Sequence, residues 1–146
     1  MKFLLDASAL VPLLLDYGEK LLDIADRALL YTVDLTIYEV GNSLWKLAFL
    51  LKTIRLDDAI DIMNVLMELI EKEFIKVIYF RELDPPRIIK LSTIEGLTFY
   101  DSTYIVATDK LNAILTTDDK ELREKARKYV EVIAYKQLQE YITTLP

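Results

Sequence analysis

The sequence predicts an α/β fold with a mainly parallel sheet. Short apolar runs alternate along the chain with longer stretches whose apolar residues recur at helical spacing, the pattern of strands separated by helices. The first run is continuously apolar, as expected of a strand buried on both faces of a parallel sheet. With 146 residues, 53% of them hydrophobic, the chain is long enough for one domain with a substantial core. We therefore expect a single domain over residues 1–146, without internal repeats or linkers.

The first half of the chain predicts two strands, each followed by helices. Residues 3–5 form the first strand, which ends at Asp6, and apolar residues then recur at helical spacing. Thr36 and Glu39 stand in the spacing of a capping box, so we expect a helix from Thr36 to about Leu51. The other elements predicted here are a helix over 19–29, a strand over 30–33 and a helix over 57–72.

The second half repeats this alternation. Pro85 and Pro86 open a helix that runs towards Glu95, because proline is favoured in the first turn. Thr98 and Asp101 form a second capping pattern at the start of a helix through residue 111. The other elements predicted here are strands over 75–79, 113–116 and 130–133 and helices over 121–128 and 135–141.

Composition excludes several kinds of chemistry. The chain has no cysteine and no histidine, which excludes disulfides, cysteine-based zinc sites and the catalytic triads that need histidine. An enzyme of this composition must use carboxylates, hydroxyls, lysine, arginine or a metal bound through oxygen. The net charge of −6 argues against non-specific binding of polyanions. Trp45 and the tyrosines are scattered at core spacing, which predicts packing rather than a base-stacking platform.

No stretch is apolar enough to predict a membrane span. The amino-terminal leucines resemble a signal peptide, but Asp6 interrupts them and Pro12 follows. No run approaches the roughly 18 apolar residues that a spanning helix needs. We expect a cytoplasmic protein without membrane contact.

Four acidic positions are predicted to lie at one edge of the sheet. Asp6 ends the first strand, Glu39 and Asp101 lie in the first turns of helices, and Asp118 and Asp119 end a later strand. In a parallel α/β sheet the carboxyl ends of strands and the starts of the following helices meet at one edge, where ligands bind. Each acid taken singly could simply cap a helix. Together they would repel one another unless they bind a cation, and oxygen ligands suit Mg²⁺ or Mn²⁺.

Three polar residues could complete such a site. Asn42 and Lys46 follow Glu39 at helical spacing on one face, where they could contact substrate or form an ordinary solvated face. Ser8 follows Asp6 by two residues and could either offer its hydroxyl to the site or bond only the backbone.

The stretches FLLDASALVPLL, TIYEVGNSLWK, LTFYDSTYIVAT and ILTTDDKEL closely resemble, in order and spacing, the four acidic motifs of PIN domains. The chain is most similar to VapC-type toxins of prokaryotic toxin–antitoxin systems, especially archaeal ones. The resemblance implies a three-layer α/β/α sandwich and a metal-dependent ribonuclease that uses Mg²⁺ or Mn²⁺. It also implies a homodimer and a VapB-type antitoxin as partner.

The resemblance assigns catalytic roles to Asp6, Glu39 and Asp101, each inside its matching motif, and metal binding to Asp6, Asp101 and the fourth acid. For the fourth acid two registers fit, and Thr-x-Asp followed by an apolar residue favours Asp119 with Asp118 in reserve. Two alternatives stay open: a PIN nuclease of RNA maturation without an antitoxin, and a non-catalytic α/β binding module.

The predicted helix over 57–72 has an apolar arc wider than one core contact needs. This helix is either buried deep in the monomer, or it packs part of its apolar face against the core and presents the rest to a partner.

Overall fold

A computed structural model describes residues 1–24 and 27–144 of the chain. The described part contains a five-stranded sheet in the order β3-β2-β1-β4-β5, and each neighbouring pair of strands is parallel. The strands are β1 (Lys2–Leu5), β2 (Leu29–Val33), β3 (Ile75–Ile78), β4 (Ile114–Thr116) and β5 (Glu131–Ile133). Because β1 lies between β2 and β4, the first strand of the chain is at the centre of the sheet.

Helices cover both faces of this sheet. They are α1 (Ala7–Tyr17), α2 (Leu21–Ile24), α3 (Asp34–Trp45), α4 (Leu56–Glu71), α5 (Pro85–Glu95), α6 (Phe99–Leu111), α7 (Lys120–Ala126) and α8 (Tyr135–Thr144). Short 3₁₀ turns span Gly18–Lys20 and Phe80–Glu82, and a π-helical turn over Lys46–Leu50 continues α3.

Alternate residues of the central strand belong to two separate cores. Phe3 and Leu5 pack in one core with α1, α3, α4 and α8, whereas Leu4 packs in the other with α5, α6 and α7. This alternation follows from the period of two in a β-strand. The predicted three-layer α/β/α sandwich is therefore confirmed.

Some predicted element boundaries are wrong. The helix predicted over 19–29 is a 3₁₀ turn up to Lys20 and an α-helix only over Leu21–Ile24 in the described part; residues 25–26 lie outside it, and Leu29 already belongs to β2. The helix predicted to begin at Thr36 begins at Asp34, and the Thr36 hydroxyl bonds the Tyr104 hydroxyl (2.8 Å) instead of capping a helix start. Thr36 is fully buried within the first turn and caps nothing.

In the described part of the chain, no helix is long and apolar enough to cross a membrane. The extent of the domain over residues 1–146 stays a prediction.

Candidate active site

The ends of β1 and β4 lie side by side at one edge of the sheet. The backbone N–H of Asp6 donates to the carbonyl oxygen of Thr116 (3.3 Å), and the N–H of Thr117 donates to that of Ile133 (3.0 Å). These bonds continue the parallel ladder one residue beyond each strand. Asp6 and Thr117 are consequently in contact, although they are 111 positions apart in the chain.

The carboxylate of Asp6 is buried and held by three hydrogen bonds. Its Oδ1 accepts the hydroxyl of Ser8 (2.6 Å) and the backbone N–H of Ala9 (3.1 Å), which makes Asp6 the N-cap of α1. Its Oδ2 accepts the hydroxyl of Thr117. The side chain is therefore fixed in orientation by residues from both neighbouring strand ends.

Burial raises the pKa of the Asp6 carboxyl from 3.8 to about 6, despite these three hydrogen bonds. The negative charge of Glu39 raises this pKa further. In the described part of the chain, no lysine or arginine forms a salt bridge with Asp6, Glu39, Asp101 or Asp119. Among the described residues, the ionised form of Asp6 thus has no cationic partner.

Glu39 is held by a tyrosine from another helix. The hydroxyl of Tyr104, on α6, donates to Oε1 of Glu39, on α3, and lies 2.8 Å from the hydroxyl of Thr36. Because the single hydroxyl proton of Tyr104 goes to Glu39, the Thr36 hydroxyl is the donor in the second bond. The capping role predicted for Glu39 is therefore wrong, since its carboxylate bonds a side chain of α6 and not the start of its own helix.

Asp101 lies in the first turn of α6, where Thr98 is the N-cap and its hydroxyl oxygen accepts the N–H of Asp101 (3.1 Å). Burial raises the pKa of the half-buried Asp101 carboxyl, and the charges of Asp119, Glu39 and Glu121 raise it further. Carboxylates influence one another in this way only at short range. Asp6, Glu39, Asp101 and Asp119 thus form one electrostatically coupled group.

Asp118 and Asp119 point to different helices. Asp119 is the N-cap of α7, with Oδ1 accepting the N–H of Leu122 (2.8 Å), and its charge acts on Asp101. Asp118 instead accepts the N–H of Tyr135, the first residue of α8 (2.9 Å). Of the two registers left open by the sequence, this geometry supports Asp119.

The three accompanying polar residues differ in their surroundings. Ser8 bonds both the Asp6 carboxylate and the backbone N–H of Asp118 (2.8 Å), so it joins the start of α1 to the loop after β4. Asn42 and Lys46 are exposed on α3 and on the turn that continues it. Both are accessible to a substrate, and neither is held by a described side chain.

The oxygen-only donor set of this group fits Mg²⁺ or Mn²⁺. In residues 1–24 and 27–144, no three carboxylates converge closely enough to surround a cation by themselves. Mg²⁺ usually keeps several of its waters and binds through only one or two carboxylates, so the two observations are compatible. The under-compensated charge of Asp6 and Asp101 is the feature that favours a cation here.

The sequence interpretation missed an aromatic groove at the same edge of the sheet. The tyrosines that immediately precede two of the acids are exposed, Tyr38 by 81% and Tyr100 by 60%, and Trp45 is 49% exposed. The prediction that these aromatics serve packing is wrong for all three. The groove has a volume of about 320 Å³ and is lined by Asp34, Leu35, Tyr38, Phe80, Phe99, Tyr100 and Thr103. A tyrosine directly before both Glu39 and Asp101 was the available sequence signal.

Two known proteins from the same organism are similar to this chain over most of its length. The chain is 33% identical over 134 residues to exonuclease VapC9 of Pyrobaculum aerophilum, covering 90% of this chain and 91% of the relative. It is 34% identical over 130 residues to ribonuclease VapC3 of the same organism, covering 86% and 95%. No family model matches the chain.

Solved structures share the fold over nearly the full length. The crystal structure of PAE2754 from Pyrobaculum aerophilum matches with a TM-score of 0.74 and 28% identity, covering 99% of this chain and 97% of that one. VapBC-1 from nontypeable Haemophilus influenzae matches with a TM-score of 0.58 and 17% identity, covering 93% and 99%, which shows a common fold alone.

Proposed function

Because the chain belongs to the VapC family of PIN-domain proteins, we propose that it is a metal-dependent endoribonuclease, the toxin of a VapBC-type toxin–antitoxin pair, which hydrolyses RNA phosphodiester bonds. The observation that carries the proposal is the coupled group of four carboxylates at the carboxyl edge of the sheet. Its member Asp6 is buried without a cationic partner in the described part of the chain. The names exonuclease and ribonuclease of the two relatives support the reaction class.

The residues of the chain have distinct parts in this proposal. One or two of Asp6, Asp101 and Asp119 would bind the cation directly and the remainder would act through its waters, while Glu39 would take part from the neighbouring helix. Ser8 and Thr117 orient Asp6 through their hydroxyls. The exposed Asn42 and Lys46 would contact the RNA, with Lys46 offering a positive charge to a phosphate.

When bound, Mg²⁺ or Mn²⁺ supplies the positive charge that an acidic protein needs to accept a phosphodiester, and it makes water a better nucleophile. Each ionised carboxylate in the group gains a compensating charge at the same time. A net charge of −6 is thus compatible with an RNA substrate.

The test is cleavage of single-stranded RNA by the purified protein with Mg²⁺ or Mn²⁺ against EDTA. Asp6→Asn and Asp101→Asn each remove one carboxylate charge at nearly constant shape, and we expect a loss of about 100-fold or more. Asp57→Asn, an exposed acid at the start of α4, is the matched control and should cleave like the unchanged chain. Cleavage that survives EDTA or both substitutions would contradict the proposal.

The proposed partners are a VapB-type antitoxin and a second copy of the chain. A groove of about 600 Å³ between α1 and α4 suits the antitoxin. Leu15, Ile62 and Val65 supply apolar surface. Glu19 and Asp61 supply negative charge, whereas Glu68 is paired with Lys72 (2.6 Å). The wide apolar arc of α4 faces both the core and the surface. Leu66 is fully buried, whereas Ile60 is 48% exposed.

A PIN nuclease of RNA maturation would use the same carboxylates and differs in having no antitoxin. Growth arrest on expression, relieved by a small protein encoded beside the gene, separates the two functions. A degenerate, non-catalytic scaffold is disfavoured because all four acids are present.

A further inference from the structure

The hydroxyl of Tyr104 links the two helices that carry Glu39 and Asp101. Tyr104 is only 2% exposed and lies one helical turn after Asp101 on α6. Its hydroxyl reaches across to α3, where Thr36 and Glu39 lie one turn apart on one face. In the described part of the chain, the tyrosine hydroxyl is the only side-chain partner of the Glu39 carboxylate.

We propose that Tyr104 is the positioning residue for Glu39: its hydroxyl holds one carboxylate oxygen, fixes the spacing between α3 and α6 and leaves the other oxygen available to a divalent cation. The inference rests on the proposed function, because it assigns Tyr104 a role in the cation affinity of the same site. Tyr104 contacts neither cation nor RNA in this arrangement and acts entirely through Glu39.

The direction of the hydrogen bonds suits that role. Thr36 donates to Tyr104 and Tyr104 donates to Glu39, so the chain of hydroxyls ends on a carboxylate oxygen of Glu39 and fixes its position. A tyrosine hydroxyl, whose ordinary pKa is about 10, is protonated at physiological pH and is therefore able to donate to Glu39. Residues that orient a metal ligand in this way commonly change metal affinity by about 10- to 100-fold when removed.

A purely structural tyrosine would behave differently. Tyr135 provides the comparison within the same chain: it is also buried, 8% exposed, and its hydroxyl donates to the carboxylate of Asp16 (2.6 Å). Tyr104→Phe and Tyr135→Phe therefore remove the same group from similar surroundings. Only the first removal affects a carboxylate of the candidate site.

The experiment is a titration of purified protein with Mn²⁺ in the absence of RNA, with free Mn²⁺ measured by electron paramagnetic resonance. We expect Tyr104→Phe to weaken Mn²⁺ binding by about 10- to 100-fold and Tyr135→Phe to leave it within about twofold. Thr36→Val removes the preceding donor and should weaken binding by a smaller factor. It also keeps the proposal testable should Tyr104→Phe fail to fold, which circular dichroism would reveal.

A double-mutant cycle separates positioning from general loosening of the site. If Tyr104 acts through Glu39, adding Tyr104→Phe to Glu39→Gln should weaken Mn²⁺ binding by less than about twofold beyond Glu39→Gln alone. Equal losses in both backgrounds, or an affinity of Tyr104→Phe equal to that of the unchanged chain, would overturn the Tyr104 proposal and leave the proposed function intact. Absence of Mn²⁺ binding by the unchanged chain would overturn the metal site and this proposal together.

Discussion

Asp6 is held in place by groups that favour its ionised form, but burial favours its neutral form more strongly. The rise of its pKa from 3.8 to about 6 corresponds to about 3 kcal/mol of folding free energy. Because the pKa of Asp6 is higher in the folded state than in the unfolded state, the folded protein gains this free energy only while Asp6 is protonated. The gain is fully present below about pH 4 and is lost as the pH rises to about 6. At neutral pH the metal-free protein therefore carries a destabilising carboxylate, as catalytic sites often do.

From this imbalance we predict that Asp6→Asn stabilises the metal-free protein at pH 8. The amide oxygen still accepts hydrogen bonds and carries no charge, so the free energy of unfolding should rise by about 1 to 3 kcal/mol. Urea unfolding in EDTA at pH 8 and pH 3.5 measures this, and the difference should nearly vanish at the lower pH. Asp57→Asn should show no such gain; a destabilised Asp6→Asn at pH 8 would count against the argument.

Some residues of the site could be predicted from the sequence, and some of their contacts could not. The spacing of acids at strand ends and helix starts predicted which carboxylates come together, because parallel topology brings those positions to one edge. It could not predict that the Tyr104 hydroxyl bonds Glu39, since that contact depends on the packing of α3 against α6. Thr117 stands inside a motif recognised from the sequence, but its bond to Asp6 depends on the pairing of β1 with β4.

At the scale of elements, two similar sequence patterns had different outcomes. Thr98 caps α6, as its spacing to Asp101 predicts, and the helix begins there. Thr36 has the same spacing to Glu39, yet α3 begins two residues earlier at Asp34 and buries Thr36. A local pattern identifies a helix start only where tertiary contacts leave the residue near the surface. Here the buried Thr36 hydroxyl bonds Tyr104 and is not available to cap a helix.

Asp118 and Asp119, in the loop after β4, bond the starts of different helices, and we predict different effects of the two on RNA cleavage. Asp119 caps α7 and raises the pKa of Asp101, whereas Asp118 accepts the backbone N–H at the start of α8. Both can become asparagine without losing their hydrogen bonds. We expect Asp119→Asn to reduce RNA cleavage by about 100-fold or more and Asp118→Asn to stay within about threefold. The same cleavage assay compares them, and the reverse ranking would assign the site to Asp118.

At the scale of the whole molecule, the fold separates two surfaces of different character. The carboxyl edge of the sheet brings together the coupled acids and the aromatic groove lined by Tyr38 and Tyr100. The groove between α1 and α4 lies on one face of the sandwich. Apolar periodicity predicted the layers, but it does not distinguish an apolar residue in the core from one on an interaction surface. That is why the exposed tyrosines were assigned to packing.

The acidic groove between α1 and α4 leads to a prediction about the proposed antitoxin. Its described lining contains Glu19, Asp61 and Glu68 and no basic side chain, although Lys72 beside it pairs with Glu68 (2.6 Å). The remaining charge of Glu19 and Asp61 is negative, so a second copy presenting the same groove would meet repulsion. A basic amphipathic segment, by contrast, matches both the charge and the apolar floor. We therefore expect Asp61→Lys to weaken binding of the antitoxin by about tenfold at low salt, with a smaller difference at high salt.

Glu124→Lys is the matched control, because Glu124 is an equally exposed acid on α7, across the sheet. Calorimetric titration with the purified antitoxin at two salt concentrations would measure the affinities of the unchanged chain, Asp61→Lys and Glu124→Lys. Equal affinities for Asp61→Lys and Glu124→Lys would exclude this groove as the docking site. Undiminished RNA cleavage by free Asp61→Lys protein is also expected, because the groove lacks every carboxylate of the candidate active site.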